Sequence, residues 1–131
     1  MRIVGGYHKG RRLHRVMKRT TRETADIVKV ACFNMVKIDG GVVLDLYAGS
    51  GAYGLEALSR GAAHAHFVDH DRDAIKTVIQ NLDMLDLKER ASVHLKTDVR
   101  FIKGLTEDTQ FNYVFLDPPY EDARYEEVIR E

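Results

Sequence analysis

The stretch Val42-Val43-Leu44-Asp45-Leu46, followed at once by a loop ending in Gly49-Ser50-Gly51-Ala52-Tyr53-Gly54, restricts the fold more than any other part of the chain. The first segment is an apolar run holding one acid, the pattern of a strand buried on both faces of a parallel sheet. The second matches G-x-G-x-x-G where such a strand gives way to a helix. Gly49 to Gly54 reads as a turn and Leu55 to Ser59 as the start of that helix. The alternation continues downstream. Ala65 to Val68, Ser92 to Lys96 and Tyr113 to Leu116 read as three more strands. Between them lie a helix with the stripe Ala74, Ile75, Val78, Ile79, Leu82 and Leu85, capped by Asp71, and a short helix or turn over Val99 to Gly104. Strands alternating with helices predict an α/β fold with a doubly wound parallel sheet.

The segment before this core differs in charge. Residues 1–30 hold nine Lys/Arg and two acids, and the remainder holds 11 basic and 18 acidic residues, so a net charge of zero hides a basic arm on an acidic body. Such an arm suits a polyanionic partner. Arg2 to Tyr7 and Arg11 to Val16 read as two short strands around His8-Lys9-Gly10. A helix follows, with candidate caps in Thr20 to Thr24, a stripe through Ala25, Val28, Ala31, Cys32, Met35 and Val36, and a stop at Asp39-Gly40-Gly41. The expected organisation is one domain over residues 1–131. Residues 1–38 form a basic hairpin-plus-helix extension and residues 39–131 the α/β core. No apolar stretch is long enough to span a bilayer and no signal peptide is visible, and the single Cys32 excludes an internal disulfide, so a reducing, cytoplasmic setting is expected.

The glycine loop offers backbone N–H groups at a helix N-terminus to an anionic part of a ligand. Asp69, 20 positions after Gly49, can accept both hydroxyls of a ribose. That spacing serves NAD and other adenosyl cofactors alike. Asp45, four residues before Gly49 in an apolar strand, calls for a cationic partner. A pyrophosphate would be repelled there and the ammonium of an amino-acid ligand attracted, which favours S-adenosylmethionine. Asp98 can take the adenine amino group or serve as a helix cap.

The C-terminal ends of parallel strands share one crevice. Asp117-Pro118-Pro119-Tyr120, directly after the fourth strand, is therefore expected to face the glycine loop. The Asp117 carboxylate and the Pro118 carbonyl can accept the two N–H bonds of an exocyclic amine. The prolines stiffen the turn and leave no N–H to compete. Tyr120 can stack on a base that has left its helix. Positioning and electrostatics would then carry methyl transfer to the amine, with no covalent enzyme intermediate.

Asp45-Leu46-Tyr47-Ala48-Gly49-Ser50-Gly51-Ala52-Tyr53-Gly54-Leu55-Glu56-Ala57-Leu58-Ser59-Arg60-Gly61-Ala62 closely resembles the bacterial 16S ribosomal RNA guanine-N2 methyltransferases. Residues Arg2 to Leu13, Thr21-Arg22, Thr24, Asp26, Phe33-Asn34, Phe67-Val68-Asp69 and the DPPY tetrapeptide resemble them too. The resemblance implies a Rossmann-like class I AdoMet-dependent methyltransferase with strand order 3-2-1-4 in the part present, acting on a guanine amino group of 16S rRNA in the small ribosomal subunit. It implies catalysis by Asp117, Pro118, Pro119 and Tyr120. It places S-adenosylmethionine, and the product S-adenosylhomocysteine, on Asp45, Ala48, Gly49, Ser50, Gly51, Asp69, His70, Asp98 and Val99. RNA is expected on Arg2, Lys9, Arg11, Arg12, Arg15, Lys18, Arg19 and Arg22.

Members usually carry Pro at the position of Glu23, a basic residue at Ile27 and Phe at Tyr47, and continue through strands five to seven beyond the point where this sequence stops. Strand four is then expected to be an apolar sheet edge open to self-association. His64, His66 and His70 alternate near strand two without the Cys or acid cluster of a metal site, and are expected at the surface or the crevice rim. Three other readings share these residues: adenine-N6 methyl transfer, an NAD-dependent oxidoreductase, and an inactive fragment that binds cofactor or RNA.

Overall fold

A computed structural model describes residues 2–15, 38–105 and 110–116. The core is a four-stranded, wholly parallel sheet of β1 (Val42–Leu46), β2 (His64–Asp69), β3 (Ala91–Leu95) and β4 (Tyr113–Leu116) in the order β3-β2-β1-β4. Helices α1 (Ala52–Ser59), α2 (Arg72–Met84) and α3 (Asp98–Lys103) alternate with the strands, and a 3-10 turn at Lys88–Arg90 leads into β3. Register sets which end is which. Leu46 pairs with Val68 on one side and Leu116 on the other, so the loop after β1, the end of β2 and the end of β4 lie along one edge.

Alternation along β1 divides the core in two. Val43 points into the larger cluster with Leu55, Leu58, Phe67, Val78 and Leu82. Leu44 and Leu46 point into a smaller one with Val68 and Phe101. Phe67 is fully buried, and a wholly buried side chain of this kind is worth about 1.5–3 kcal/mol. Asp71 caps α2 as expected, accepting the Asp73 N–H at 2.9 Å. Ala74, Ile75, Val78, Leu82 and Leu85 of its expected stripe are buried, Thr77 and Asn81 are buried beside them, and Ile79 is 43% exposed. α1 begins three residues before its expected start, because Gly51 takes a left-handed N-cap conformation (φ 87°) and Gly54 lies inside the helix.

Of the two N-terminal strands expected at Arg2 to Tyr7 and Arg11 to Val16, residues 2–15 keep a short antiparallel hairpin: Arg2 bridges to Arg12, Ile3 donates to the Arg11 carbonyl at 2.9 Å, and Gly10 donates to the Ile3 carbonyl at 2.8 Å. Beyond Ile3 the backbone turns to α1. Val4 and Gly5 donate to the Glu56 carboxylate at 2.9 and 2.8 Å, Tyr7 donates to the Ser59 carbonyl at 2.7 Å, and His8 donates to Ser59 Oγ at 2.9 Å. Gly6 (φ 78°) meets α1 so closely that a Cβ would lie 2.0 Å from the Ser59 carbonyl oxygen. The basic segment is thus docked on α1 and not loosely solvated. Ile3 is fully buried, while Arg2, Lys9, Arg11, Arg12 and Arg15 remain exposed.

The expected helix through Ala25 to Val36, with Cys32, lies outside the described residues, as do Lys18, Arg19 and Arg22. On β4, Val114 and Leu116 are 48% and 37% exposed. Among the described residues no helix is long and apolar enough to cross a membrane.

Candidate active site

The C-terminal edge of β1 and β2 forms the base of the crevice. Ala48 N–H donates to the Val68 carbonyl at 2.9 Å, carrying the ladder one step past β1, and Gly51 N–H closes the turn on the Ala48 carbonyl at 2.8 Å. Gly49 N–H then donates to Oδ2 of Asp69 at 3.0 Å, across the interval of 20 residues. Oδ1 of Asp69 accepts the Asp71 N–H at 2.9 Å. One carboxylate therefore fixes both the glycine loop and the approach to α2, and it stays 12% exposed at the crevice. His70 is exposed at the rim, its Nδ1 3.8 Å from Asp69 Oδ1. Gly54 is required by contact: a Cβ there would lie 2.2 Å from the Phe67 ring, so its absence brings α1 onto β2.

Asp45 is buried (2% exposed), and its Oδ2 accepts the Gly54 N–H at 2.9 Å. That bond ties the buried acid to the first turn of α1. Asp98 is buried in the first turn of α3 (4% exposed). It is not the helix cap; Thr97 is, accepting the Arg100 N–H at 3.2 Å. Oδ1 of Asp98 accepts the Val99 N–H at 2.8 Å and Oδ2 accepts the Tyr47 hydroxyl. Tyr47 holds a left-handed backbone conformation (φ 64°) unusual for a residue with a side chain.

Two buried polar residues that the sequence reading passed over hold the arrangement together. Asn81, fully buried on α2, donates to the Ser50 carbonyl at 3.0 Å. It also pairs with the His14 backbone, accepting its N–H at 2.6 Å and donating to its carbonyl at 3.1 Å. It ties the basic arm to the glycine loop. Glu56, also fully buried, is matched by the Arg60 guanidinium at 2.8 Å as well as by the Val4 and Gly5 amides. The spacing Glu56 to Arg60 within a helix was the available signal.

His64 and His66 are not surface residues. They form a half-buried row with His94 on the face that carries α3. His66 Nδ1 and His94 Nε2 share a hydrogen bond of 3.3 Å, and His64 Nε2 meets Ser92 Oγ at 2.8 Å. Burial, with His64 and His94 alongside, holds His66 far below the ordinary imidazole range, at about 4. His94 is lowered by burial and by Lys96. Among the described residues no group of His, Cys, Asp or Glu is arranged to hold a metal ion. Asp117, Pro118, Pro119 and Tyr120 lie outside the described residues.

Comparison with known proteins agrees with this geometry. "Putative rRNA methyltransferase YlbH" of Bacillus subtilis is 44% identical over 132 residues, which cover 98% of this chain and 72% of that protein. Ribosomal RNA small subunit methyltransferase D of Haemophilus influenzae is 36% identical over 132 residues, covering 98% of this chain and 68% of its own length. The solved structure of "Putative methyltransferase yhhF" from Escherichia coli superposes with a TM-score of 0.86 at 37% identity, over 99% of this chain and 70% of that one. The parallel sheet with its glycine loop is the Rossmann-like class I methyltransferase fold. Residues 1–131 match, end to end, the family described as Conserved hypothetical protein 95, and the chain belongs to it.

Proposed function

We propose that this chain transfers a methyl group from S-adenosylmethionine to the exocyclic N2 amine of a guanine in 16S rRNA of the small ribosomal subunit. The observation that carries the reading is the Gly49 to Asp69 hydrogen bond, which joins a glycine loop and an acid at the ends of adjacent parallel strands. The rRNA methyltransferase names of the relatives supply the substrate class.

The residues present fit the cofactor. Asp69 already accepts two N–H groups and is still open to the crevice, so ribose hydroxyls suit it, with His70 at the rim. Ala48, Gly49, Ser50 and Gly51 would offer backbone to the amino-acid portion, with the Asp45 carboxylate behind the loop at the Gly54 amide. Asp98 and Val99 would border the adenine. S-adenosylmethionine, when bound, supplies an electrophilic methyl group and leaves as S-adenosylhomocysteine.

The chain's own work is to hold the nucleophile. β4 ends at Leu116, paired with Leu46, and Asp117 is the next residue. In this reading the Asp117 carboxylate and the Pro118 carbonyl accept the amine N–H groups, and Pro119 keeps the turn rigid. Tyr120 stacks on the flipped base. The amine lone pair forms the new N–C bond, and the proton shed afterwards passes to Asp117 or to water. The exposed Arg2, Lys9, Arg11, Arg12 and Arg15, with Lys18, Arg19 and Arg22, neutralise phosphates.

Labelled methyl transfer to unmodified small-subunit rRNA and to assembled subunits, followed by nucleoside analysis, tests the reading. N2-methylguanosine is the expected product. N6-methyladenosine would move the chemistry to adenine, and no transfer despite cofactor binding would leave a binding module.

A further inference from the structure

The turn at residues 5–10 does more than carry charge. Tyr7 is 91% exposed, the most exposed large hydrophobic side chain among the described residues. It stands on a backbone pinned by Ser59 and Glu56, so the ring is presented from a fixed base. Beside it lies an open cleft of about 620 Å³ between this turn and the segment from Met84 to Arg90. Ligand clefts commonly measure about 300–1,000 Å³.

Lys9, Arg11 and Arg90 line the cleft, against a single carboxylate, Asp86. The Arg90 guanidinium is held in place by the Leu58 carbonyl at 2.9 Å and by the Ala62 carbonyl. Leu85 and Leu87 supply an apolar floor. His8, edge-on to Tyr7 with ring centroids 5.0 Å apart, also lines the cleft. Its Nδ1 is buried with no hydrogen-bond partner among the described residues.

An exposed aromatic ring beside a cleft lined by cations matches one nucleotide of a single strand: base on ring, phosphate on Lys9 and Arg11. The cleft is not the methyl-transfer crevice. The segment from Met84 to Arg90 feeds the N-terminal end of β3, whereas the glycine loop follows the C-terminal end of β1. A five-residue strand separates the two ends by roughly 15–17 Å.

We propose that this cleft is a second RNA anchor, in which Tyr7 stacks on an unpaired base of the substrate RNA while Lys9 and Arg11 hold its phosphate. The proposal rests on the rRNA reading above and adds a base-recognising subsite to it. The test is anisotropy titration of the 131-residue chain with a labelled, unmodified small-subunit rRNA fragment over a range of salt, with inorganic polyphosphate as a charge-only probe.

Tyr7→Ala should weaken RNA binding by about 5- to 100-fold, and Tyr7→Phe, which keeps the ring, should stay within about twofold. Tyr7→Leu keeps apolar bulk without a ring and should lose as much as Tyr7→Ala, which controls for folding, as should an unchanged melting temperature. The salt slope should be parental in Tyr7→Ala and shallower by about 0.7–0.9 in Lys9→Ala. Polyphosphate binding should ignore Tyr7 and weaken in Lys9→Ala. If the parent binds rRNA and Tyr7→Ala binds it equally well, the second anchor is overturned and the rRNA reading stands. If the parent neither binds nor methylates rRNA, both fall.

Discussion

The Tyr47 hydroxyl donates a hydrogen bond to Oδ2 of Asp98, tying the loop after β1 to the first turn of α3. The bond spans a residue in a left-handed conformation, and it occupies the acceptor that the proposed function assigns to an adenine amino group. Tyr47→Phe leaves a buried carboxylate oxygen one donor short. The ligand-free chain should lose about 1–3 kcal/mol, and S-adenosylmethionine should recover part of that by supplying an N–H. Tighter cofactor binding by calorimetry, together with a lower melting temperature without ligand, is expected. Equal affinity in the two proteins would show that adenine does not reach Asp98.

Asp69 serves the loop and, in the proposed function, the ligand. Asp69→Ala removes the acceptor of the Gly49 and Asp71 amides as well as the proposed ribose site. Cofactor affinity should fall by about 1–3 kcal/mol, and Asp69→Asn, which keeps one acceptor oxygen, should fall by less. Unchanged affinity in titration calorimetry would remove Asp69 from the site.

The sheet was legible because parallel strands buried on both faces read as apolar runs. β1 and β4 lie where the sequence places them, and β2 and β3 are within two residues. The start of α1 was not, because Gly54 looks like part of a turn until Phe67 is seen to need the space. The N-terminal hairpin is shorter than expected for a different reason. Beyond Ile3, which bonds to Arg11 and Gly10, the amide partners are Glu56 and Ser59, about 50 residues away, and periodicity carries no information about such contacts. At the site, Asp69 could be placed by spacing alone. The engagement of Asp45 by Gly54, and of Asp98 by Tyr47, required coordinates, since burial of an acid does not reveal its donor.

Glu56 is the anchor of the basic arm. Glu56→Ala would remove the acceptor of the Val4 and Gly5 amides and of Arg60 Nε together. Breaking a buried charged cluster from one side costs about 3–5 kcal/mol. Urea unfolding should show that loss, and trypsin should cut sooner at Arg11 and Arg12. Glu56→Gln retains an acceptor and should sit between. A resistant, equally stable Glu56→Ala chain would mean that Ile3 and Ser59 suffice to dock the arm.

His66 makes the fold sensitive to acid. Its pKa is about 4 in the folded chain, against the ordinary imidazole value of 6.5 once the chain unfolds, so the unfolded state binds more protons between these limits. Stability is fully present above about pH 6.5 and falls as pH drops toward 4, with His94 lowered in the same direction. The full shift would amount to about 3 kcal/mol, and partial exposure of the ring should reduce it to about 1–2 kcal/mol. His66→Phe should flatten the dependence of melting temperature on pH over this window. A parent whose melting temperature is constant from about pH 7 to about pH 5 would contradict the shift.

Asp117 carries the chemistry in the proposed reaction, and it begins where β4 leaves Leu46. Asp117→Ala removes an acceptor for the target amine and leaves the Gly49 to Asp69 link untouched. Methyl transfer should therefore fall by about 100-fold or more, the scale for losing one positioned polar group in a transition state, while cofactor affinity changes little. Tyr120→Phe keeps the ring and most of the activity. Tyr120→Ala should lose stacking worth about 1–3 kcal/mol per base, visible mainly as weaker RNA binding. Single-turnover transfer to unmodified rRNA separates these effects, because it isolates the chemical step from product release. If Asp117→Ala matched the parent in that assay, DPPY would be a structural turn and the amine would be held by another group in the crevice.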